Sequence, residues 1–584
     1  MQKRKKSNKI KGSVRSSQLV TTYGVGAMLA LGNESFIVAG IEDWPKNDED
    51  VLHEPRLERK LGVFEFRRPP AGDDISSDIP VRRFPEYQSC PQCHRLNRYN
   101  FFTSPFGKAV CSFCEDEPAL VPSRFVVACE DGHLDDFPYY QWAHSQQPHD
   151  GGTVKLKLKS RGESSGLRDV IISCSCGASR SMDGAFSRQA LRTVRRCQGR
   201  RPWLGEGTDE GCDKFPVAVQ RGASNVWFPD HISAISIPPW SEGAFRVLDR
   251  GWEWLKLTPP GDALRLMIEA KGLADEYHSV DDLVGAAEYR KRQESGEADA
   301  IESDVKYKEC EALMKGAPEK DRHDEFVCVP AISPGELARD WFPIIQKVTR
   351  LREVRALRGF SRLVAPAGSD EAAELGGEAK NTVGLQADEV GWLPAIEVTG
   401  EGVFFELSSA RLKEWENQEA VQQRVNRLAE RFVEAYEDGP SVTPRFVMIH
   451  TLAHALIDQW ALECGYPAAA LRERIYVTTE RAGVLIYTAT TDSAGSLGGV
   501  ISMAEDDRLS SSLVEAIRRS AWCSADPLCI ETATQGVDAL NLAACHACAL
   551  LPETSCEWRN QLLDRALLVG TPEDPSLGYF TELV

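Results

Sequence analysis

Positive charge is in short supply in this 584-residue chain: 68 Lys and Arg against 87 Asp and Glu leave a formal net charge of −19. A surface of that overall sign repels nucleic acid and anionic membranes, so any contact with either must come from local clusters. Long apolar runs are missing as well. No stretch approaches the roughly 18 consecutive apolar residues of a membrane-crossing helix. The mildly apolar YGVGAMLALG near the start begins too late, and is too broken by glycines, to read as a secretion signal. Motor chemistry lacks its signature. No G-x-x-x-x-G-K-[ST] occurs; Gly107-Lys108 is followed by Ala109, and Phe102 stands where the first glycine belongs. None of the 11 histidines begins an H-x-K, which argues against a phospholipase-D-type nuclease.

Cysteine, by contrast, is plentiful and grouped: there are 17 in the chain. Thiolates are soft donors that suit zinc, and four of them close a tetrahedral structural site. The clearest set is Cys90, Cys93, Cys111 and Cys114, two C-x2-C knuckles at zinc-ribbon separation. Between the knuckles, Arg95, Arg98 and Lys108 are interleaved with Tyr99, Phe101 and Phe102, which suits either base stacking or packing of the ribbon itself. A second set is Cys174 and Cys176 with Cys197 and Cys212; Cys129, in ACEDGHLDDF with Asp131 and His133, either joins it or is a buried thiol. A third set lies near the end. Cys545 and Cys548 sit in NLAACHACALL, where a helix would point both thiols the same way, with Cys529 upstream and Cys556 downstream. Cys523 is an alternative to Cys529, and His546 a weaker candidate. Three closed, four-thiolate Zn²⁺ sites are therefore expected. Metal spacings of this kind point to a reducing compartment, hence a cytoplasmic protein.

Two clusters carry other possibilities. SRQALRTVRRCQGRRPW holds Arg188, Arg192, Arg195, Arg196, Arg200 and Arg201 without one acid, a local positive density that fits DNA or an acidic protein surface. His450 and His454 stand at i and i+4 in an apolar helical period, and with Asp492 they could hold a hydrolytic metal. Thr451, however, occupies the place of the general-base glutamate of H-E-x-x-H.

Chain length suggests roughly three or four domains. The composition divides into a basic tail and β-hairpin region over 1–85, a zinc ribbon over 86–128 and a second cysteine- and arginine-rich module over 129–240. A mainly helical middle region and linker follow over 241–390, then a four-cysteine domain over 391–584. In the middle region WFPIIQKVTRLREVRALRGFSRL, read as a helix, brings Lys347, Arg355, Arg358 and Arg362 within an arc of roughly 80°. The expected class is α+β and multidomain: zinc-ribbon-type modules in the N-terminal half, a helical middle and a C-terminal α/β zinc-binding domain.

RSSQLVTTYGVGAM, QRGASNVWFP, LREVRALRGFSRL, PAIEVTGEGVFFELS, HTLAHALI, GSLGGV and NLAACHACALLPETSCE together resemble the DrmB family, core proteins of the DISARM anti-phage systems of bacteria. The C-terminal part is similar to a four-cysteine helicase-associated domain found behind DNA-repair helicase motors. The resemblance implies a non-enzymatic subunit that pairs with the DISARM helicase, DrmA, in recognising invading DNA. A metal-dependent hydrolase and a pure assembly scaffold are the readings set against it.

Overall fold

The computed structural model describes residues 12–583 apart from 48–49, 72–77, 105–107, 146–148, 150–152, 163–165, 206, 295–304, 366–381, 388–389, 437–440, 489–497 and 537–538. Near the start, Met28–Leu31 (β1) and Glu34–Val38 (β2) pair antiparallel with Leu31 opposite Glu34. The two-residue turn is Gly32-Asn33, and its Gly32 has φ +62, a conformation glycine adopts without strain. Tyr87–Ser89 (β3) and Arg95–Arg98 (β4) form the ribbon hairpin. Phe125–Ala128 (β5) and Leu134–Asp136 (β6) form a second hairpin. A short helix, Tyr139–Ala143 (α1), comes next. Leu156–Ser160 (β7), Val170–Cys174 (β8) and Ser179–Ser181 (β9) extend the ribbon sheet in the order β9-β8-β7-β4-β3. Val217–Gln220 (β10) instead pairs with β5 in a separate three-stranded sheet.

The largest sheet has eight strands. Along its main path lie Phe228–Ile235 (β11), Ile344–Ser361 (β12), Trp392–Glu406 (β13), and then, out of chain order, Ala482–Thr488 before Leu471–Val477 at the edge. Between β11 and β12 the chain is helical over Gly243–Asp249, Asp262–Lys271, Val280–Glu294 and Val305–Lys315. The helical expectation fails at β12. That segment is a strand paired with β11 and β13 and buried on both faces, where Ile345, Val348, Val354 and Phe360 pack better than in a helix. Its cations form no stripe. Lys347 pairs with Glu505, Arg355 with Glu353 and Arg358 with Asp230, while Arg362 donates to three backbone carbonyls.

One helix organises the last third. Pro444–Cys464 (α2) starts with Thr443 accepting from the Phe446 amide and stops at Gly465, φ +71. It is apolar nearly all round, so it lies buried. It packs on Leu471–Val477 (β14) and Ala482–Thr488 (β15) from one face of the large sheet, and Arg508–Ser520 (α3) lies against it. Val403, Phe405, Ile475, Val484 and Ile486 of the sheet meet Ile449, Leu452 and Ile457 of α2 in the main core. No helix among the described residues is long and apolar enough to cross a membrane.

Candidate metal centres and a basic cleft

All 17 cysteines are free thiols, and most of them gather in groups. A zinc ion bound about 2.3 Å from each of four sulfurs holds those sulfurs about 3.8 Å apart. The ribbon meets that geometry. Cys90 and Cys93 turn between β3 and β4, Cys111 and Cys114 turn opposite them, and the Sγ separations Cys90–Cys114 and Cys93–Cys111 are both 3.8 Å. The Cys93 amide donates to Cys90 Sγ at 3.4 Å, as knuckle amides do toward thiolates. Phe102 packs with Cys90, Cys111 and Leu120 inside the ribbon, whereas Phe101 and Phe113 stack on each other at 5.2 Å and stay partly exposed.

The second expected set is divided between two places. Cys197 and Cys212 join Cys129 and His133. The β5–β6 turn presents Cys129 and His133, with Cys129 Sγ 3.3 Å from His133 Nδ1 and 4.0 Å from Cys212 Sγ. The other His133 nitrogen meets Glu210 at 2.7 Å, the outer-shell partner a metal-bound histidine usually has. Neighbouring Cys129 first, then His133 and the Gly199 amide against burial, pull the Cys197 thiol down to about 4. Cys174 and Cys176 instead meet His144 and His149. Cys174 ends β8 in the ribbon sheet and Cys176 lies in the turn that follows, next to α1, so neither reaches the β5–β6 turn of the other sheet. His144 Nε2 lies 3.3 Å from Cys176 Sγ, while its Nδ1 donates to the Tyr140 carbonyl at 2.8 Å, leaving Nε2 as the free lone pair.

The C-terminal group is also regrouped. Cys545 and Cys548 share a tight turn rather than a helix, and Cys523 and Cys529 complete the set. Sγ separations are 3.5 Å for Cys523–Cys545 and 3.7 Å for both Cys529–Cys548 and Cys545–Cys548. Cys523 therefore stands beside Cys529 and not in its place. Cys556 lies elsewhere, beside α2, because its segment runs along the edge strand β14. The sequence pattern thus failed to mark Cys523 as a fourth donor, and His144 and His149 altogether. The C-x3-H spacing of Cys129 and His133 was the one available signal for a mixed set.

His450 and His454 are buried side by side on α2, and their neighbouring acid is Glu473 of β14. Asp492 lies outside the described residues. Among the six clustered arginines, Arg195 and Arg200 reach Asp135, Arg200 also reaches Glu86, and Arg201 reaches Glu210. Arg188, Arg192 and Arg196 are exposed.

A larger positive feature was not legible. A cleft of about 790 Å³ opens on the face of the large sheet away from α2, between the β1 hairpin and residues 553–559. Arg221, Arg355, Arg472, Arg474, Arg559 and His231 line it. Arg474 is held by Glu309 and Glu557, and Arg355 by Glu353. Other donors make no hydrogen bond among the described residues: Arg221 Nη1, Arg355 Nε, and Arg472 Nε and Nη1 are buried, although Arg472 Nη1 also lies 3.9 Å from Glu353. Burial lowers the pKa of Arg221 and of Arg559. His231 is pushed down to about 3 by burial, then by Arg472 and Arg559, and so is neutral. Cations with spare donors in a concave site favour an anion.

Comparison with known proteins fits this inventory. A family model described as the MrfA Zn-binding domain matches residues 452–549, which include all four C-terminal thiols. Zinc is thus the cofactor, and the Cys and Cys/His groups fit it. A domain of unknown function, DUF8724, matches residues 15–228, which hold the three N-terminal groups. A Bacillus paralicheniformis protein named DISARM protein DrmB is 32% identical over 574 residues, covering 94% of this chain and 99% of that protein. On that identity and coverage, the chain belongs to the DrmB family of DISARM defence proteins.

Proposed function

We propose that this DrmB-family chain is a non-catalytic, zinc-stapled subunit that pairs with the DISARM helicase, DrmA, in the cytoplasm and helps it engage invading DNA. Four groups would carry zinc: Cys90/Cys93/Cys111/Cys114, Cys129/His133/Cys197/Cys212, His144/His149/Cys174/Cys176 and Cys523/Cys529/Cys545/Cys548. Each offers four protein donors and leaves no open position, which is the character of a structural site. No nucleotide-binding loop is present in the sequence, so strand separation falls to the partner.

The basic cleft is the observation that carries the DNA reading. In a protein of net charge −19 it gathers five arginines beside Glu553 and Glu557, and three of them keep N–H groups that make no hydrogen bond among the described residues, at a scale suited to backbone phosphates. The test is to purify the chain with and without its helicase and measure DNA affinity of each alone and together. Arg221→Ala with Arg559→Ala should leave the complex assembled and weaken its DNA affinity by roughly tenfold or more. Unchanged affinity removes the cleft from DNA binding. Loss of assembly makes the cleft a protein interface and favours the scaffold reading.

A further inference from the structure

Among the described residues, the four Cys and Cys/His groups leave one buried cluster of donors unexplained. His450 and His454 of α2, Glu473 of β14 and Cys556 are between 0% and 5% exposed, and their donor atoms lie within 4.8 Å of one another. His450 Nε2 is 3.1 Å from a Glu473 oxygen and 3.2 Å from Cys556 Sγ; His454 Nε2 is 3.5 Å from the same oxygen. We propose that these four side chains hold a fifth zinc ion, in a closed site of two histidines, one glutamate and one cysteine that pins residues 555–557 onto the edge of the large sheet.

Geometry and chemistry both favour an ion over a hydrogen-bonded cluster. Tetrahedral zinc about 2.0–2.3 Å from nitrogen, oxygen and sulfur keeps its donors about 3.3–3.8 Å apart; the 3.5 Å separation lies within that span, and those of 3.1 and 3.2 Å are slightly shorter, so that binding needs only a small outward shift of His450. His454 Nδ1 donates to the Ala549 carbonyl at 2.7 Å, so its Nε2 is an unprotonated lone pair aimed at the cluster. Among the described residues that Nε2 and Glu473 Oε2 have no hydrogen-bond partner, although both are buried. Unpaired buried groups of this kind are costly unless something satisfies them. Cys556 Sγ accepts from the Trp558 and Asn560 amides at 3.3 and 3.2 Å, the pattern seen at the knuckle thiols. A carboxylate and a thiolate together balance the two charges of the ion.

The role is structural. Four protein donors fill the coordination shell, and all four side chains are buried, so the cluster lacks the free position that hydrolysis needs. Its place gives it work of another kind. β14 is the last strand on this side of the sheet, and the chain around Cys556 covers its edge: Glu473 N donates to Ser555 O, and Ile475 N to a Glu557 oxygen. Glu557 and Arg559 of the same segment line the basic cleft on the other face. The ion would therefore fix one wall of that cleft from behind.

A zinc-edge anomalous difference map of crystals of the unmutated full-length chain tests this directly, with the ribbon and C-terminal thiol sites as internal standards. A peak is expected between His450, His454, Glu473 and Cys556. No peak there, in a map that shows the standards, overturns the proposal, as does a peak seen only at another metal's edge. Glu473→Gln supplies a second readout, because an amide keeps the hydrogen bond to histidine but is a poor zinc ligand. Elemental analysis should find one zinc fewer per chain in that variant, and an unchanged count in folded protein also overturns the site.

Discussion

Arg362 shows how much one side chain can join. Fully buried, it donates from Nε to Gly132 O, from Nη1 to Val226 O and from Nη2 to Gly26 O, at 2.8, 2.6 and 2.9 Å. Three chain segments far apart in sequence thus share one planar fork, which lysine cannot reproduce. Arg362→Met should lower stability by about 3–5 kcal/mol, since it strands three buried carbonyls, and Arg362→Lys should recover only part. Thermal unfolding midpoints of the three proteins check this; equal midpoints would refute it. His231 predicts a pH effect of definite sign. Its folded value is about 3 against 6.5 for the ordinary side chain, burial being the first cause. Between those values the unfolded chain binds the extra proton, so stability is complete above pH 6.5 and is lost as pH falls toward 3. The loss approaches about 1.4 kcal/mol per pH unit within the window. His231→Gln should flatten that part of the acid limb when midpoints of the two proteins are compared from about pH 7 to about pH 4.5. Parallel limbs would mean that His231 does not titrate as described.

Elements whose logic is local were readable, and those whose logic is a return of the chain were not. The loop that brings Cys197 to Cys212 is the case in point: Glu210 N donates to Gly199 O and Cys197 N to Lys214 O, closing two arms on each other. Gly199 has φ +64, and a Cβ there would lie 1.6 Å from the Glu210 carbonyl oxygen. Gly199→Ala must therefore force the arms apart, and should lower the zinc content by about one per chain while the ribbon keeps its own. Elemental analysis alongside a thiol-accessibility count at Cys197 and Cys212 decides it; full metal content would show that the loop tolerates the change. The hairpin at Gly32-Asn33 and the knuckles at Cys90–Cys93 and Cys111–Cys114 were legible because turn chemistry and spacing act over a few residues. The partition of Cys174 and Cys176 from Cys197 and Cys212 was not, because it depends on which sheet each strand joins. Cys523 and Cys556 were exchanged for the same reason: distance along the chain permits either, and only the path over β14 separates them. At β12 the periodicity of cations suggested a helix, whereas burial on both faces and partners on both sides made it a strand.

At the scale of the molecule, charge decides where the DNA contact proposed above could be made. A surface at −19 opposes phosphate everywhere except at local clusters, and every four-thiolate centre that fills adds negative charge of its own. Of the arginines between Cys176 and Cys212, Arg195, Arg200 and Arg201 are turned to Asp135, Glu86 and Glu210, so removing them would be felt as instability. Arg188, Arg192 and Arg196 face outward; the last two lie over Phe215, and Arg196 is only 3.8 Å from an exposed Asp213. Exposed pairs of that kind contribute little and leave the guanidinium available to another anion. If the proposed function holds, changing these three together to Ala should weaken DNA binding by the complex with the helicase about equally for all sequences. The slope of log affinity against log salt should flatten by up to about 0.9 for each phosphate on duplex DNA that is no longer neutralised. The cleft pair Arg221 and Arg559 supplies the comparison. If only the cleft variant changes the slope, the arginine segment is a solvated face; if the triple variant dissociates the complex, the segment is where the helicase sits. A slope that falls in both variants, and falls further when they are combined, would trace one strand from the arginine segment into the cleft.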